Sequence, residues 1–247
     1  MKKRASRGIV YLVGGGPGHP GLLTLRGAEC LKRCEAVIYD ALVNPALLAH
    51  CPSSAKRIFV GKRRRHHEFE QDEINALLLK YASKGKIVCR LKGGDPFLFG
   101  RGGEEAEFLF EHGVRFEVVP GVSSVIAAPA CAGIPLTHRD YASHVTIVTG
   151  QNSRLGDAYR YLPKKTLVVL MGFARAGDIA KKMVSLGWPP STPVALICSG
   201  TLASQAVITG TLSDFNEKID KSGGRLSSPA MIVAGDVVKM REKCGSF

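Results

Sequence analysis

One glycine-rich segment, KIVCRLKGGDPFLFGRGGEE at residues 86–105, combines residue types that suit ligand binding. Gly93 and Gly94 have no Cβ, so a ligand can lie directly against the main chain there. Asp95 offers an acceptor in the same turn, and Arg101 and Glu104 place opposite charges one helical turn apart. A tight strand-to-helix turn with an exposed ion pair explains this segment equally well by itself. The sequences of the neighbouring loops are therefore needed to distinguish a ligand-binding loop from a simple turn.

Polar or glycine-rich residues follow each predicted strand of the first half. These strands are Ile9–Val13, Ala36–Tyr39, Ile58–Val60, Ile87–Leu91 and Phe116–Val119. The residues that follow them are the loop 14–21, Asp40, Gly61-Lys62, the segment 92–95 and the segment 121–124. Alternating strands and helices predict a mainly parallel, doubly wound sheet, and such sheets bind ligands beyond the carboxyl ends of their strands. The first half is therefore predicted to bind a ligand at that edge.

The strand–helix alternation pauses near residues 133–139, where we predict a domain boundary. Five more strands are predicted beyond it, at 145–149, 167–170, 194–198, 207–209 and 231–234. They follow one another closely after Val194, which indicates antiparallel pairs. The fold class is thus α/β with two domains: residues 1–133 with a mostly parallel sheet, and residues 134–247 with a mixed sheet.

The first loop contains a literal GxGxxG pattern at residues 16–21, with Asp40 at a suitable distance for a dinucleotide fingerprint. Pro17 and Pro20 argue against this function, because they lack the N–H groups that a pyrophosphate needs. No Walker A sequence is present, which disfavours a nucleotide triphosphatase. The loop suits a ligand without phosphate, bound by shape and by carbonyl contacts.

The net charge of +13 predicts an acidic partner. The basic run Lys62–Arg65, followed by His66 and His67, has three interpretations: a solvated loop, a nucleic-acid patch, or the mouth of a site for a polycarboxylate. Phe69 is the one aromatic residue nearby, which weakens the single-strand nucleic-acid interpretation. If the basic run lines a polycarboxylate site, Arg101 and Arg139 would extend that site into a ligand-binding cleft.

Other features narrow the class of protein. No apolar run approaches the ~20 residues that a membrane span needs. The seven cysteines are odd in number and form no CxxC pair, which favours buried free thiols in a reducing cytosol and disfavours a metal site. Met171 is either a core filler or a soft contact for a sulfonium ligand or an apolar ring. Ser123 and Ser124 either contact a ligand or simply cap the helix that follows.

Taken in order, the segments of this chain resemble the uroporphyrinogen-III C-methyltransferase family of the tetrapyrrole methylase superfamily. The matching segments cover nearly the whole chain: VYLVGGGPGHPGLLTLRG, VIYDALV, VGKR, RLKGGDPFLFGRGGEE, VPGVSSVIAAPACAGIPLTHRD, LMGF and PAMIVAGDVV. The GGDPFLFGRGGEE and AGIPLTHR blocks are the most specific. His19 is a departure, because the family usually has Asp at this position.

The resemblance implies two α/β domains with a ligand cleft between them, S-adenosyl-L-methionine as the cofactor and S-adenosyl-L-homocysteine as its product. The implied cofactor-binding residues are Pro17, Gly93, Gly94, Asp95, Leu98, Ser123, Ser124, Met171, Gly200 and Ala230. The implied catalytic residues are Asp40, Lys62, Arg101 and Glu104, with Asp40 and Lys62 as the acid–base pair. The implied substrate-binding residues are Arg101, Arg139 and Met171, and no metal is implied.

The implied reaction adds two methyl groups to uroporphyrinogen III and gives precorrin-2, for sirohaem, cobalamin or haem d1 synthesis. The eight carboxylates of this substrate suit a chain of charge +13. The family also implies a cytoplasmic homodimer with no nucleic-acid or membrane partner. We expect a stand-alone enzyme without the extra dehydrogenase–chelatase domain of fused relatives. The alternatives are another precorrin methyltransferase, a diphthine synthase, or a basic nucleic-acid-binding protein.

Overall fold

The computed structural model of the protein describes residues 8–61, 69–151, 164–224 and 226–245. The chain forms two compact units, Met1–Ser123 and Ser124–Phe247. The predicted domain boundary after Gly133 lies just beyond the end of the first helix of the second unit, which spans Ser124–Cys131.

A parallel sheet forms the centre of the first unit. Its strands are β1 (Ile9–Gly14), β2 (Ala36–Tyr39), β3 (Lys56–Phe59), β4 (Ile87–Lys92) and β5 (Arg115–Val119). They lie in the order β3-β2-β4-β1-β5, and each neighbouring pair is parallel. The prediction of a parallel sheet is confirmed, and the carboxyl ends of these strands share one edge.

Helices α1 (Leu25–Arg33), α2 (Gln71–Ala82) and α3 (Gly102–Glu111) connect these strands, with short 3-10 helices at Pro20–Leu22 and Pro45–His50. The Thr24 hydroxyl caps α1 by accepting a 3.1 Å hydrogen bond from the Gly27 N–H. Glu73 caps α2 by accepting a 2.9 Å bond from the Glu70 N–H. These caps satisfy amides that would otherwise lack partners at the helix starts.

Both faces of the parallel sheet are buried. On β1, Val10 and Leu12 belong to the apolar cluster that includes residues of α2 and α3, whereas Val13 belongs to the cluster that includes residues of α1. The period of two along a strand produces this division. On β4, Val88 lies on the α2–α3 side, so Arg90 and Lys92 must share that side with it. Two cations are therefore placed where apolar side chains are usual.

The second unit contains a mixed sheet. Its strands are β6 (Val145–Thr149), β7 (Thr166–Leu170), β8 (Pro193–Cys198), β9 (Ala206–Thr211) and β10 (Ala230–Ala234). The order is β6-β7-β10-β8-β9; β6 and β7 are parallel and the other neighbours are antiparallel. The prediction of a mixed sheet is confirmed.

The helices of the second unit are α4 (Ser124–Cys131), α5 (Ala176–Ser185), α6 (Phe215–Lys221) and α7 (Arg241–Cys244), with 3-10 helices at Phe173–Arg175 and Asp236–Met240. Trp188 and Phe215 are buried in the core of this unit beside Leu196 and Ile232. Within the described ranges, no helix has the length and apolar character needed to cross a membrane.

The cysteines are free thiols, and five of them, at 30, 34, 51, 89 and 198, are buried. Burial raises the pKa of the Cys198 thiol, which keeps it in its neutral form. The prediction of buried free thiols is confirmed for these five positions.

Candidate functional site

The loops after β1 and β4 are joined main chain to main chain. The Gly94 N–H donates to the Gly16 oxygen at 2.7 Å, and the Gly16 N–H donates back to the Gly94 oxygen at 3.2 Å. The Gly15 N–H donates to the Lys92 oxygen at 2.7 Å. Gly16 and Gly94 both have positive φ, at 79° and 67°. Glycine is needed here because side chains with a Cβ rarely adopt this backbone conformation.

The loop after β5 meets the same two loops at Gly121. A Cβ on Gly121 would lie 2.3 Å from the Gly94 oxygen and 2.7 Å from the Gly14 Cα. A Cβ on Gly14 would lie 2.5 Å from the Gly121 nitrogen. Three loops that are distant in sequence thus pack together at glycines. Gly94 could be proposed for the site from sequence, but the packing role of Gly14 and Gly121 becomes visible only in the fold.

Asp95 fastens the β4 loop to the β5 loop. Its Oδ1 accepts a 2.8 Å hydrogen bond from the Phe97 N–H, and its Oδ2 accepts a 3.0 Å bond from the Gly121 N–H. A carboxylate has about four acceptor positions. The side chain is therefore held in place by two amides and can still accept a hydrogen bond from a hydroxyl or ammonium group of a ligand.

Two polar side chains shape the first loop around Pro17, which is half-buried. His19 Nδ1 accepts a 3.0 Å bond from the Gly21 N–H and caps the short helix there. Asn44 Nδ2 donates a 2.7 Å bond to the Gly18 oxygen, which ties this loop to the loop after β2. Asn44 was not among the predicted site residues, although an asparagine before Pro45 is a recognised signal for a turn or helix start.

The turn that precedes α3 carries Leu98, Arg101 and Glu104. Leu98 is half-buried, whereas Phe97 and Phe99 are 55% and 44% exposed. Arg101 has φ of 59° at the start of α3. Its Nε and Nη2 donate to the Glu104 carboxylate at 3.0 and 2.6 Å. The predicted pair is thus formed, and the hydrogen bond from Arg101 lowers the pKa of the Glu104 carboxyl.

Beneath this edge lies an ionic network that the sequence analysis did not predict. Arg90 Nη2 donates to Asp40 Oδ1 at 2.6 Å, and Arg90 Nε donates to Glu105 Oε1 at 2.9 Å. Lys92 Nζ donates to the same Glu105 oxygen at 2.9 Å. The signal was available: charges at alternate positions of an apolar strand point into the core together. Of the predicted catalytic residues, the network includes Asp40.

Burial and charge have opposite effects on the two cations of this network. Burial opposes the charge on Arg90, but the carboxylates of Glu105 and Asp40 outweigh it, and the pKa of Arg90 is raised. Burial lowers the pKa of Lys92, and the nearby Arg90 charge lowers it further, against the pull of Glu105. Arg90 is consequently the fixed cation of the network.

In the second unit, Met171 follows β7 with φ of 55° and is 43% exposed. The interpretation of Met171 as a core filler is wrong, because the residue is exposed rather than buried. Gly172 behind it is buried, and a Cβ there would lie 2.9 Å from Ile179. Gly172 thus takes the buried position of this turn, and Met171 takes the exposed one.

The loop after β8 packs on α4. A Cβ on Gly200 would lie 2.3 Å from the Ala128 Cβ, and Gln205 Nε2 donates to the Cys131 oxygen at 3.2 Å. Ala230 lies opposite Cys198 in the sheet. The fold of the second unit therefore brings Gly200 and the start of β10 to the same end of β8.

The remaining predicted site residues are Ser123, Ser124, Arg139 and Lys62. Ser123 is half-buried at the end of the first unit, and Ser124 begins α4. Arg139 is exposed and makes no ion pair among the described residues. Lys62, the rest of the basic run to Arg65, and the histidines at 66 and 67 lie outside the described residues. No group of three or more His, Cys, Asp or Glu side chains in the described ranges could hold a metal ion.

A parallel sheet whose strand ends are joined at glycines, followed by a second unit with a mixed sheet, defines the tetrapyrrole methylase class. The family described as Tetrapyrrole (Corrin/Porphyrin) Methylases matches residues 9–216, and the chain belongs to this family. Among curated proteins, the siroheme synthases of Pseudomonas putida and Acinetobacter baylyi are 46% and 45% identical to it, each over 97% of the chain. The chain spans about half the length of these relatives, 52% and 53%.

Among solved structures, the uroporphyrin III C-methyltransferase of Thermus thermophilus is 39% identical over 94% of this chain and 99% of its own, with a TM-score of 0.79. The same Thermus protein has been solved in complex with S-adenosyl homocysteine. A cobalt precorrin-4 methyltransferase is 28% identical over 93% of this chain and 95% of its own, with a TM-score of 0.81. The predicted family resemblance is confirmed.

Proposed function

We propose that this chain is an S-adenosyl-L-methionine-dependent C-methyltransferase that adds two methyl groups to uroporphyrinogen III and yields precorrin-2. The observation that carries the proposal is the match to the Thermus uroporphyrin III C-methyltransferase, which extends over 99% of that protein at 39% identity. The siroheme synthases support the same substrate class, although this chain spans about half of their length.

The residues of the first unit fit the proposed cofactor. When bound, S-adenosyl-L-methionine supplies a methyl group activated by a sulfonium centre. Asp95 is fixed by two amides and keeps acceptor capacity for hydroxyl or ammonium groups. Gly93, Gly94 and Pro17 present main chain rather than long side chains. We assign Leu98 and Ser123 to the same function on the strength of the family resemblance.

In the second unit, the residues that the resemblance assigns to the cofactor are Ser124, Met171, Gly200 and Ala230. The exposure of Met171 supports its assignment, because a polarisable thioether is a favourable neighbour for an apolar ring. Gly200 cannot carry a side chain without displacing Ala128. The loop after β8 is thereby kept in one position.

Substrate binding is assigned to Arg101 and Arg139, with Met171 as an apolar contact. Glu104 already occupies the Arg101 guanidinium through Nε and Nη2. This geometry is the one in which an arginine binds a carboxylate with two parallel hydrogen bonds. Nη1 of Arg101 has no acceptor among the described residues, so it is the nitrogen left to donate to one of the eight carboxylates of uroporphyrinogen III.

Catalysis is assigned to Asp40, Lys62, Arg101 and Glu104. An electron-rich pyrrole carbon would take the methyl group in line from the sulfonium sulfur of the cofactor, which would leave as S-adenosyl-L-homocysteine. The enzyme mainly has to position two reactants and accept the proton that is lost. Asp40 is 28% exposed at the carboxyl end of β2, and its carboxylate is suited to accepting the proton.

A second candidate function is methylation of a later precorrin. The cobalt precorrin-4 methyltransferase, with a TM-score of 0.81 and 28% identity, favours this alternative on fold. The Thermus protein is the more similar in sequence, at 39% identity. We therefore rank uroporphyrinogen III first.

We further propose a cytoplasmic homodimer that feeds sirohaem or cobalamin synthesis, with a functional division at residues 1–133 and 134–247. Five buried free thiols support a reducing compartment. The dimer rests on the family resemblance and is tested by sedimentation equilibrium.

Mass spectrometry of an anaerobic mixture of the protein, S-adenosyl-L-methionine and uroporphyrinogen III tests the function. The expected product is the tetrapyrrole with two added methyl groups. Cofactor binding without methylation of uroporphyrinogen III, but with methylation of a later precorrin, would select the second candidate. Binding of neither ligand would overturn both candidates.

A further inference from the structure

Arg90 uses each nitrogen of its guanidinium, and each bond goes in a different direction. Nη2 donates to Asp40 Oδ1 at 2.6 Å, Nε donates to Glu105 Oε1 at 2.9 Å, and Nη1 donates to the Ile38 oxygen at 3.4 Å. The side chain thus connects the central strand β4 to the end of β2 and to α3. A flexible, compact ammonium could not span the same three acceptors.

Three members of the ionic network are buried, and the fourth, the Asp40 carboxylate, is accessible. The side chains of Arg90 and Glu105 are 2% and 0% exposed, and that of Lys92 is 4% exposed. Asp40 is 28% exposed. Its Oδ1 is held by Arg90, whereas its Oδ2 accepts no hydrogen bond from the residues that the structure describes. One oxygen of the carboxylate is anchored and the other is available.

Glu105 binds the Arg90 guanidinium from the buried side of the network. Its Oε1 accepts from Arg90, from Lys92 and, at 3.3 Å, from Gln71 Nε2. Its Oε2 is buried and has no hydrogen-bond partner among the described residues. The donors therefore converge on a single oxygen, and two neighbouring cations share one buried anion. Buried charges of this kind cost free energy that well-packed apolar residues would not.

We propose that Arg90 is a positioning residue: its guanidinium, held by Glu105, fixes the Asp40 carboxylate at the edge of the sheet by one oxygen and presents the other to the substrate. This inference rests on the proposed function, in which Asp40 accepts a proton. Lys92 supplies the second positive charge that keeps Glu105 directed toward Arg90. The burial of Arg90 and Glu105 explains how a carboxylate on a loop is given a single orientation.

Arg90→Lys tests the proposal, because it keeps the charge and removes the fork. We expect kcat to fall on the order of 100-fold, as small misplacements of reacting groups can cause. The KM for uroporphyrinogen III and the Kd for S-adenosyl homocysteine should stay unchanged. Arg26→Lys is the matched control: Arg26 also donates through Nε and Nη2, at 3.0 and 2.8 Å, but to the single carboxylate of Glu117, and it is exposed on α1. It should leave kcat unchanged.

A double-mutant cycle separates positioning from general support of the fold. If Arg90 acts through Asp40, Asp40→Asn should lower kcat much less in the Arg90→Lys protein than in the wild type. Equal losses in the two backgrounds would overturn the proposal. If Arg90→Lys does not fold, Glu105→Gln takes its place in the same cycle, with a smaller loss of kcat expected.

Crystal structures of the wild type and Arg90→Lys give a readout that does not depend on turnover. A displaced or doubled Asp40 carboxylate, with α3 unmoved, supports the proposal; an Asp40 side chain in its original place overturns it. A wild-type enzyme that methylates no tetrapyrrole would overturn the proposed function instead. The crystal structures would then still decide whether Arg90 positions Asp40.

Discussion

Asp95 Oδ2 accepts a 3.0 Å hydrogen bond from the Gly121 N–H, across 26 positions of the chain. Its other oxygen accepts from the Phe97 N–H at 2.8 Å. One carboxylate thus binds the loop after β4 to the loop after β5, at the point where both loops pack against the loop after β1. Asp95 organises the edge of the sheet in addition to any contact that it makes with a ligand.

Replacing Asp95 should therefore affect both stability and cofactor binding. Asp95→Ala leaves two amides without their acceptor, and we expect a loss of about 1–3 kcal/mol in the free energy of unfolding. Asp95→Asn keeps one acceptor oxygen and should lie between alanine and the wild type. Urea denaturation and calorimetric titration with S-adenosyl homocysteine measure the two effects. Asp220→Ala, at an exposed position of α6, is the control. An unchanged Asp95→Ala protein would contradict the structural role.

The glycine junction gives a second prediction. Gly121→Ala places a Cβ 2.3 Å from the Gly94 oxygen, a backbone atom that cannot move aside. We expect destabilisation of about 3 kcal/mol or more, at the upper end of the costs of overpacking. The matched control is Gly103→Ala in α3, where a Cβ meets nothing within 4 Å. That change should stabilise the protein by ~0.5–1 kcal/mol. Denaturant midpoints for the two variants should move in opposite directions.

The order of the elements in the first unit could be predicted from the sequence because the local signals agree. Thr24, a residue type favoured at helix starts, stands directly before α1 and caps it. The strand Ala36–Tyr39 has its predicted bounds. Strand β3 spans Lys56–Phe59 instead of the predicted 58–60, because its exposed first residues carry charges that hide the strand pattern. Local patterns specify elements well and their ends less well.

The site was harder to predict, because its main contacts join distant segments. Nothing local to Arg90 indicates that Asp40 and Glu105 lie on either side of it; the parallel order β2-β4 and the packing of α3 bring them there. Met171 was ambiguous for a similar reason, since its exposure becomes visible only in the folded second unit. The sequence singled out residues with strong chemistry such as Asp40, but it did not indicate their buried partners.

The departure at His19 leads to a third prediction. The imidazole Nδ1 caps the short helix at Pro20–Leu22, a role that an aspartate side chain also performs. His19→Asp should therefore retain the stability and the cofactor affinity of the wild type. His19→Ala removes the cap and should cost about 0.5–2 kcal/mol. Thermal denaturation of the three proteins checks this, and an aspartate variant as unstable as the alanine variant would contradict it.

A fourth prediction concerns acid stability in the second unit. The Thr211 N–H donates to Asp214 Oδ1 at 2.6 Å, and Lys218 lies 3.0 Å from Oδ2. The hydrogen bond from Thr211 lowers the pKa of the Asp214 carboxyl, with Lys218 contributing. Because the folded pKa lies below the ordinary value, the stabilisation is complete above the unfolded pKa and is lost as the pH falls through the folded one.

Asp214→Asn removes this titration. We expect the variant to be about 1 kcal/mol less stable than the wild type at pH 7. The difference should shrink as the pH falls below the ordinary aspartate value of 3.8. Guanidinium denaturation between neutral and strongly acid pH gives the two stability curves. Asp220→Asn, a neighbouring exposed aspartate, should give a curve parallel to that of the wild type. Parallel curves for Asp214→Asn as well would refute the assignment.

The fifth prediction separates binding from stability at Arg101. Its ion pair with Glu104 is more than half exposed on both sides, so the pair should contribute at most about 1 kcal/mol to folding. Arg101→Ala keeps the Cβ and hence the backbone strain at φ of 59°. Loss of a charge-assisted contact with the substrate, worth about 2 kcal/mol, should lower kcat/KM by roughly 30-fold or more.

Steady-state methylation of uroporphyrinogen III, together with titration of S-adenosyl homocysteine, measures these effects in the same protein preparations. Affinity for S-adenosyl homocysteine should be unchanged in Arg101→Ala, because the proposed contact is with the substrate. The control is Lys221→Ala, which breaks an exposed ion pair with Glu217 on α6 and should change neither quantity. Equal losses of cofactor affinity and turnover in Arg101→Ala would mean that the guanidinium supports the cofactor loops rather than the substrate. A normal kcat/KM would remove Arg101 from the site.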